Sequence, residues 1–73
     1  MKLTDLKRGE SAIITAINLD DKSVGELISL GFSIGNEIVF ERHAPLGDPQ
    51  QYFVAGNYIA LRESEAKEIE VSK

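Results

Sequence analysis

The chain has 73 residues, 42% of them hydrophobic, with 8 Lys and Arg against 12 Asp and Glu for a formal charge of −4, and it has no cysteine. A chain this short makes one domain, residues 1–73, and buries only about 60% of the surface its unfolded form exposes, which excludes two lobes around a cleft. The missing cysteine excludes disulfides, thiolate zinc sites, iron–sulfur clusters and a cysteine nucleophile, and an acidic chain without a basic stripe is not expected to bind nucleic acid.

Thr4 is placed to cap one helical turn closing before Gly9, with Leu3 and Leu6 turned to a core. Met1–Arg8 holds no apolar stretch of signal-peptide length, and runs such as Ala12-Ile13-Ile14 are far shorter than a membrane span, so a cytoplasmic location without membrane insertion is expected. From Ser11 to Leu19 the chain reads as a strand with Ile13, Thr15, Ile17 and Leu19 on one face and Ala12, Ile14 and Ala16 on the other, apolar on both sides. Ser23 with Glu26 fits a capping box. Val24, Leu27 and Ile28 then recur at helical spacing up to Gly31, where a Schellman motif would fold Phe32 back on Leu27. Leu30 lies off that stripe and is expected to face outward as an apolar contact near the turn at Pro45–Pro49.

Asn36 to Ala44 alternates, with Ile38 and Phe40 on one side and Glu37, Val39, Glu41 and His43 on a wetter one. The turn Ala44-Pro45-Leu46-Gly47-Asp48-Pro49 places both prolines around a leucine and a glycine, a preset reversal that displays Leu46. Leu46 either folds back as a plug on the domain or projects as an anchor for a partner. Beyond it, Gln51–Ala55 and Tyr58–Arg62 read as a hairpin linked by Gly56-Asn57, Ser64 opens one or two helical turns, and Ile69-Glu70-Val71 makes a last short strand. Five short strands with brief helical insertions in so short a chain predict a mainly β fold, a small closed SH3-like barrel.

Groups that carry chemistry are sparse. His43, the single histidine, reads as a solvated strand residue rather than a general base. Asp20-Asp21 is a helix start before it is a loose cation site, and no His and carboxylate spacing matches a metal site, so neither metal nor cofactor is expected. Glu63, Glu65, Glu68 and Glu70 read as a solvated face that a basic partner would also fit. Arg62 ends a strand where a helix begins and is expected to pair with an acidic residue, Asp48 being one candidate; the sharper alternative is an arginine finger into a partner's nucleotide site.

Leu3, Leu6 and Gly9, the Leu27, Leu30 and Gly31 helix end, the Pro45-Leu46-Gly47-Asp48-Pro49 turn, and Ile59-Ala60-Leu61-Arg62 followed by Glu65-Ala66 together resemble the FeoA family of ferrous iron transport accessory proteins over nearly the whole chain. Where that family commonly has Arg-Leu and Leu-Gly-Leu-x-Pro-Gly, this chain has Glu26-Leu27 and Leu30-Gly31-Phe32-Ser33-Ile34-Gly35. The resemblance implies an SH3-like fold, a link to transition-metal ions, no catalytic activity, and a cytoplasmic role in contact with the membrane transporter FeoB, which carries a GTP-binding domain. It leaves as alternatives a GTPase-activating regulator acting through Arg62 or Arg42 and a metal-responsive sensor like the C-terminal domain of iron-dependent repressors. The expected partner-binding residues are Leu30, Pro45, Leu46, Gly47, Asp48, Pro49 and Arg62, with weak self-association as a further expectation.

Overall fold

Alternation of apolar and polar residues writes most of the sheet, and two bulges rewrite the rest. The computed structural model describes residues 1–73. A 3₁₀ turn at Leu3–Asp5 precedes β1 (Ser11–Ile17), α1 (Asp21–Ser29), β2 (Glu37–His43), β3 (Gln50–Val54), β4 (Asn57–Leu61), α2 (Glu63–Ala66) and β5 (Ile69–Ser72). The strands form one antiparallel sheet in the order β4-β3-β2-β1-β5. Its inner face buries Ala12, Ile14, Ile38, Phe40, Tyr52, Val54, Ile59, Leu61, Ile69 and Val71 in one core with Leu3, Leu6, Leu27, Phe32 and Ala66.

The sheet curls without closing through hydrogen bonds, because its edge strands β4 and β5 do not pair. Five antiparallel strands with two short helices make the small SH3-like arrangement expected from the sequence. The chain passes from β4 to β5 through α2, which packs on the opening 3₁₀ turn, and Ala66, Leu3 and Leu6 complete the core there. Met1 and Lys2 cover part of the β5 edge, through a bridge from Lys2 to Glu70 and a bond from the Val71 N–H to the Met1 carbonyl at 2.8 Å.

β1 is not covered on both faces as its composition predicts. Ala12 and Ile14 are buried while Ile13 and Thr15 are exposed. A bulge between Ile14 and Ala16 shifts the pairing with β5, so that Ile17 comes opposite the buried Ile69 and packs on the core despite sharing sequence parity with Ile13. In β2 the bulge falls at Glu41: Phe40 pairs with Tyr52, but Arg42 pairs with Gln51 and His43 with Gln50. His43 thereby comes to the same side as Phe40 and sets its ring edge-on to it, centroids 4.9 Å apart, while staying exposed to solvent as expected.

Helix caps also differ in detail. The opening turn is held by the Asp5 carboxylate on the Lys2 N–H at 2.9 Å, not by Thr4. Asp20 rather than Ser23 caps α1: its backbone is extended, and its carboxylate accepts the Ser23 N–H at 2.8 Å and the Ser23 hydroxyl at 3.2 Å. At the other end the Gly31 N–H bonds the Ile28 carbonyl and the Phe32 N–H bonds the Leu27 carbonyl, which is the Schellman pattern, with Gly31 at φ +96°. Leu27 and Phe32 are both buried, whereas Ile28 is exposed, so only the edge of the predicted stripe reaches the core.

The β3–β4 link is Ala55-Gly56, one residue earlier than the Gly56-Asn57 link predicted from sequence, with both residues at positive φ as a type I′ turn requires. Alanine in that conformation costs about 1 kcal/mol. The register that results sets Phe53 opposite Tyr58, rings 5.0 Å apart, a cross-strand aromatic pair that offsets part of the cost.

Candidate functional site: the 44–49 turn

The β2–β3 reversal is pinned from three sides. The Gly47 N–H bonds the Ala44 carbonyl at 2.8 Å, the Ala44 N–H bonds the Pro49 carbonyl at 2.9 Å, and the Asp48 carboxylate accepts the Glu63 N–H at 2.8 Å. Gly47 sits at φ +90° and the Asp48-Pro49 peptide is cis. A loop whose backbone is tied this way loses little entropy on docking. Leu46 at its tip is 96% exposed, so the plug reading of this residue is excluded.

Beneath the turn lies a buried polar pair. Gln50, 4% exposed, accepts the Tyr52 hydroxyl at 2.6 Å. Burial pushes the Tyr52 hydroxyl well above the usual tyrosine range, with the nearby Glu63 charge adding to it, so the group stays a proton donor. The pair fixes the start of β3 directly below Pro49.

Pro45, Leu46, Gly47, Asp48 and Pro49 are thus gathered with Arg62, because Leu61 pairs with Gln50 and brings the end of β4 to this end of the sheet. Arg62 does not pair with Asp48, whose carboxylate is taken by the α2 backbone. The Arg62 N–H bonds the Glu65 carboxylate at 3.1 Å, and its side chain points to no acidic partner. Leu30 is the residue the fold leaves out. It is 46% exposed, but it adjoins Gly31, which abuts Ala55 at the opposite end of β3, so the expectation that it lies near the turn is corrected. The contributions of Glu63 and Gln50 to the turn have no signal in the sequence, since both depend on which strand ends meet.

His43 is exposed and has no carboxylate partner, and no group of three or more His, Cys, Asp or Glu side chains is placed to hold a metal ion. The four Glu of the C-terminal segment remain dispersed, with Glu70 accepting the Asn18 amide at 2.8 Å. What the arrangement offers is a stiff, apolar-tipped turn on a small sheet.

These features define a small, mainly β domain of SH3-like fold. The FeoA domain family matches residues 1–73, and the chain belongs to the FeoA family, which is linked to ferrous iron transport. It is similar to the FeoA protein of Chlorobium tepidum, at 35% identity with a TM-score of 0.94 over 99% of this chain and 69% of that one. It is also similar to a zinc-complexed FeoA of Stenotrophomonas maltophilia, described as an SH3 domain protein, at 32% identity with a TM-score of 0.83 over 99% and 89% of the two chains. A Porphyromonas gingivalis Fe(2+) transport protein A/Fe(2+) transporter FeoB fusion protein is 31% identical over 71 residues, 97% of this chain, and the chain spans only 8% of that protein's length.

Proposed function

We propose that this domain is a non-catalytic accessory of ferrous iron transport that docks on the cytoplasmic side of a FeoB-type transporter through the 44–49 turn. The observation that carries this reading is Leu46, a large apolar side chain held almost wholly in solvent on a backbone pinned at both ends and from the side. The fusion relative supports the choice of partner, since in that protein the two components share one chain.

Pull-down from membranes containing FeoB tests it. The wild-type domain is expected to be retained, and Leu46→Asp to be lost while its circular dichroism and melting temperature stay unchanged. Equal retention of the variant overturns the anchor. Measuring FeoB GTP turnover with Arg62→Ala alongside distinguishes docking from activation: an adaptor leaves turnover insensitive to that change.

A further inference from the structure

Two shallow depressions meet beside the turn. One is lined by Leu6, Lys7, Arg8, Phe40, Arg42 and His43; the other continues past Arg42 and His43 to Pro45, Pro49 and Ala60. The two share Arg42 and His43, so that between them they form a concave strip, a groove from the loop after the opening 3₁₀ turn to the base of the Leu46 turn. In a chain with 12 acidic and 8 basic side chains, no Asp or Glu lines either depression, whereas three of the eight cations do. None of these three is in an ion pair. The neighbouring acid, Glu10, pairs with Lys73 and accepts the Lys7 backbone N–H, so it is already engaged.

We propose that this groove receives an acidic segment of the docked partner, with Leu46 as the apolar anchor at its end. The inference rests on the docking reading above and adds the chemistry of what docks. Charge complementarity selects the occupant: unpaired cations on a mostly negative domain attract carboxylates and repel none. The buried faces of Leu6 and Phe40 give the groove an apolar floor along which side-chain stems can lie. A single phosphate fits less well. The cations come from two separate segments, Lys7-Arg8 and Arg42, around one depression, and no helix starts there to add N–H donors, since the N-terminus of α1 is capped by Asp20 and the first N–H of α2 is taken by Asp48.

Fluorescence anisotropy with a labelled hexaglutamate peptide tests the groove without the transporter. Wild type is expected to bind at low salt and to lose about tenfold in affinity as added salt shortens the screening length from roughly 30 to 8 Å. Arg8→Glu with Arg42→Glu should abolish binding, Arg8→Lys with Arg42→Lys should keep most of it, and the distant Lys22→Glu should have little effect. Should the charge-reversed protein fail to melt cooperatively, Arg8→Gln with Arg42→Gln takes its place. An equal loss from Lys22→Glu, or tighter binding of inorganic pyrophosphate than of the peptide, overturns the inference. With solubilised FeoB the two readings separate. Binding lost in Leu46→Asp but kept in the charge-reversed protein sinks the groove and leaves the docking turn; peptide binding by a domain that FeoB ignores sinks the choice of partner and leaves the groove.

Discussion

Ala55 occupies the space that a side chain on Gly31 would need: a β-carbon built at Gly31 would lie 2.5 Å from the Ala55 Cβ. Both residues have positive φ, one ending α1 and the other turning β3 into β4, so a helix terminus and a hairpin tip lock against each other. Gly31→Ala is therefore expected to lose about 1 kcal/mol or more from the left-handed backbone and a further amount from the clash. Thermal melting reads this as a fall of roughly 4–8 °C per kcal/mol for a domain of this size. Adding Ala55→Gly should recover the contact part together with the roughly 1 kcal/mol that the positive φ of Ala55 itself costs, which Ala55→Gly alone measures, and a Gly31→Ala variant with wild-type stability would remove the interlock.

Tyr52→Phe leaves the buried Gln50 carbonyl oxygen without its donor. The expected cost is about 1–3 kcal/mol, the desolvation penalty of an unpaired polar group, because Gln50 is almost fully buried. Chemical denaturation checks it. Gln50→Leu with Tyr52→Phe should restore most of the loss, since removing both partners leaves no orphan.

Asp48→Ala should free the turn from α2. The expected loss is about 1 kcal/mol, as for other carboxylates that accept a helix-terminal N–H, and amide exchange at Glu63 should quicken. Asp48→Asn keeps an oxygen acceptor and should stay close to wild type in both measurements.

Acid should weaken the α1 start. The Asp20 carboxyl is held below its ordinary value of 3.8, chiefly by the Ser23 N–H and then by the Ser23 hydroxyl. Glu10 is held below 4.5, first by its bond to Lys73. Both folded-state values are depressed, so their contributions are whole above the unfolded values and disappear as pH falls through the folded ones. Melting temperature is expected to fall below about pH 4, more steeply in wild type than in Asp20→Asn, while the two curves run parallel from pH 6 to 8. Identical acid limbs would dismiss the cap.

Local chemistry was readable before any fold was known. Gly31 with Phe32 announced the Schellman end, alternation at Ile38 and Phe40 announced an inward face, and two prolines around Leu46 announced a stiff display. Each rests on backbone preferences within a few residues. Bulges were not readable. Nothing in Ile14-Thr15-Ala16 or Phe40-Glu41-Arg42 marks the extra residue, because a bulge is decided by what lies across the ladder.

The chain by itself thus determined five strands, their order along the sequence, the inward face of β2 at Ile38 and Phe40, and a rigid turn with a leucine at its tip. Tertiary structure decided where separate segments meet. Only the fold shows Leu46 in solvent, gives Asp48 to the α2 backbone instead of Arg62, and sends Leu30 to the far end of β3. It also brings Lys7 and Arg8 to the same groove as Arg42 in a sequence that shows no basic stripe. The physical reason is range: turns and caps depend on neighbours in sequence, whereas exposure, charge clustering and the partner of a given carboxylate depend on strand register and bulges.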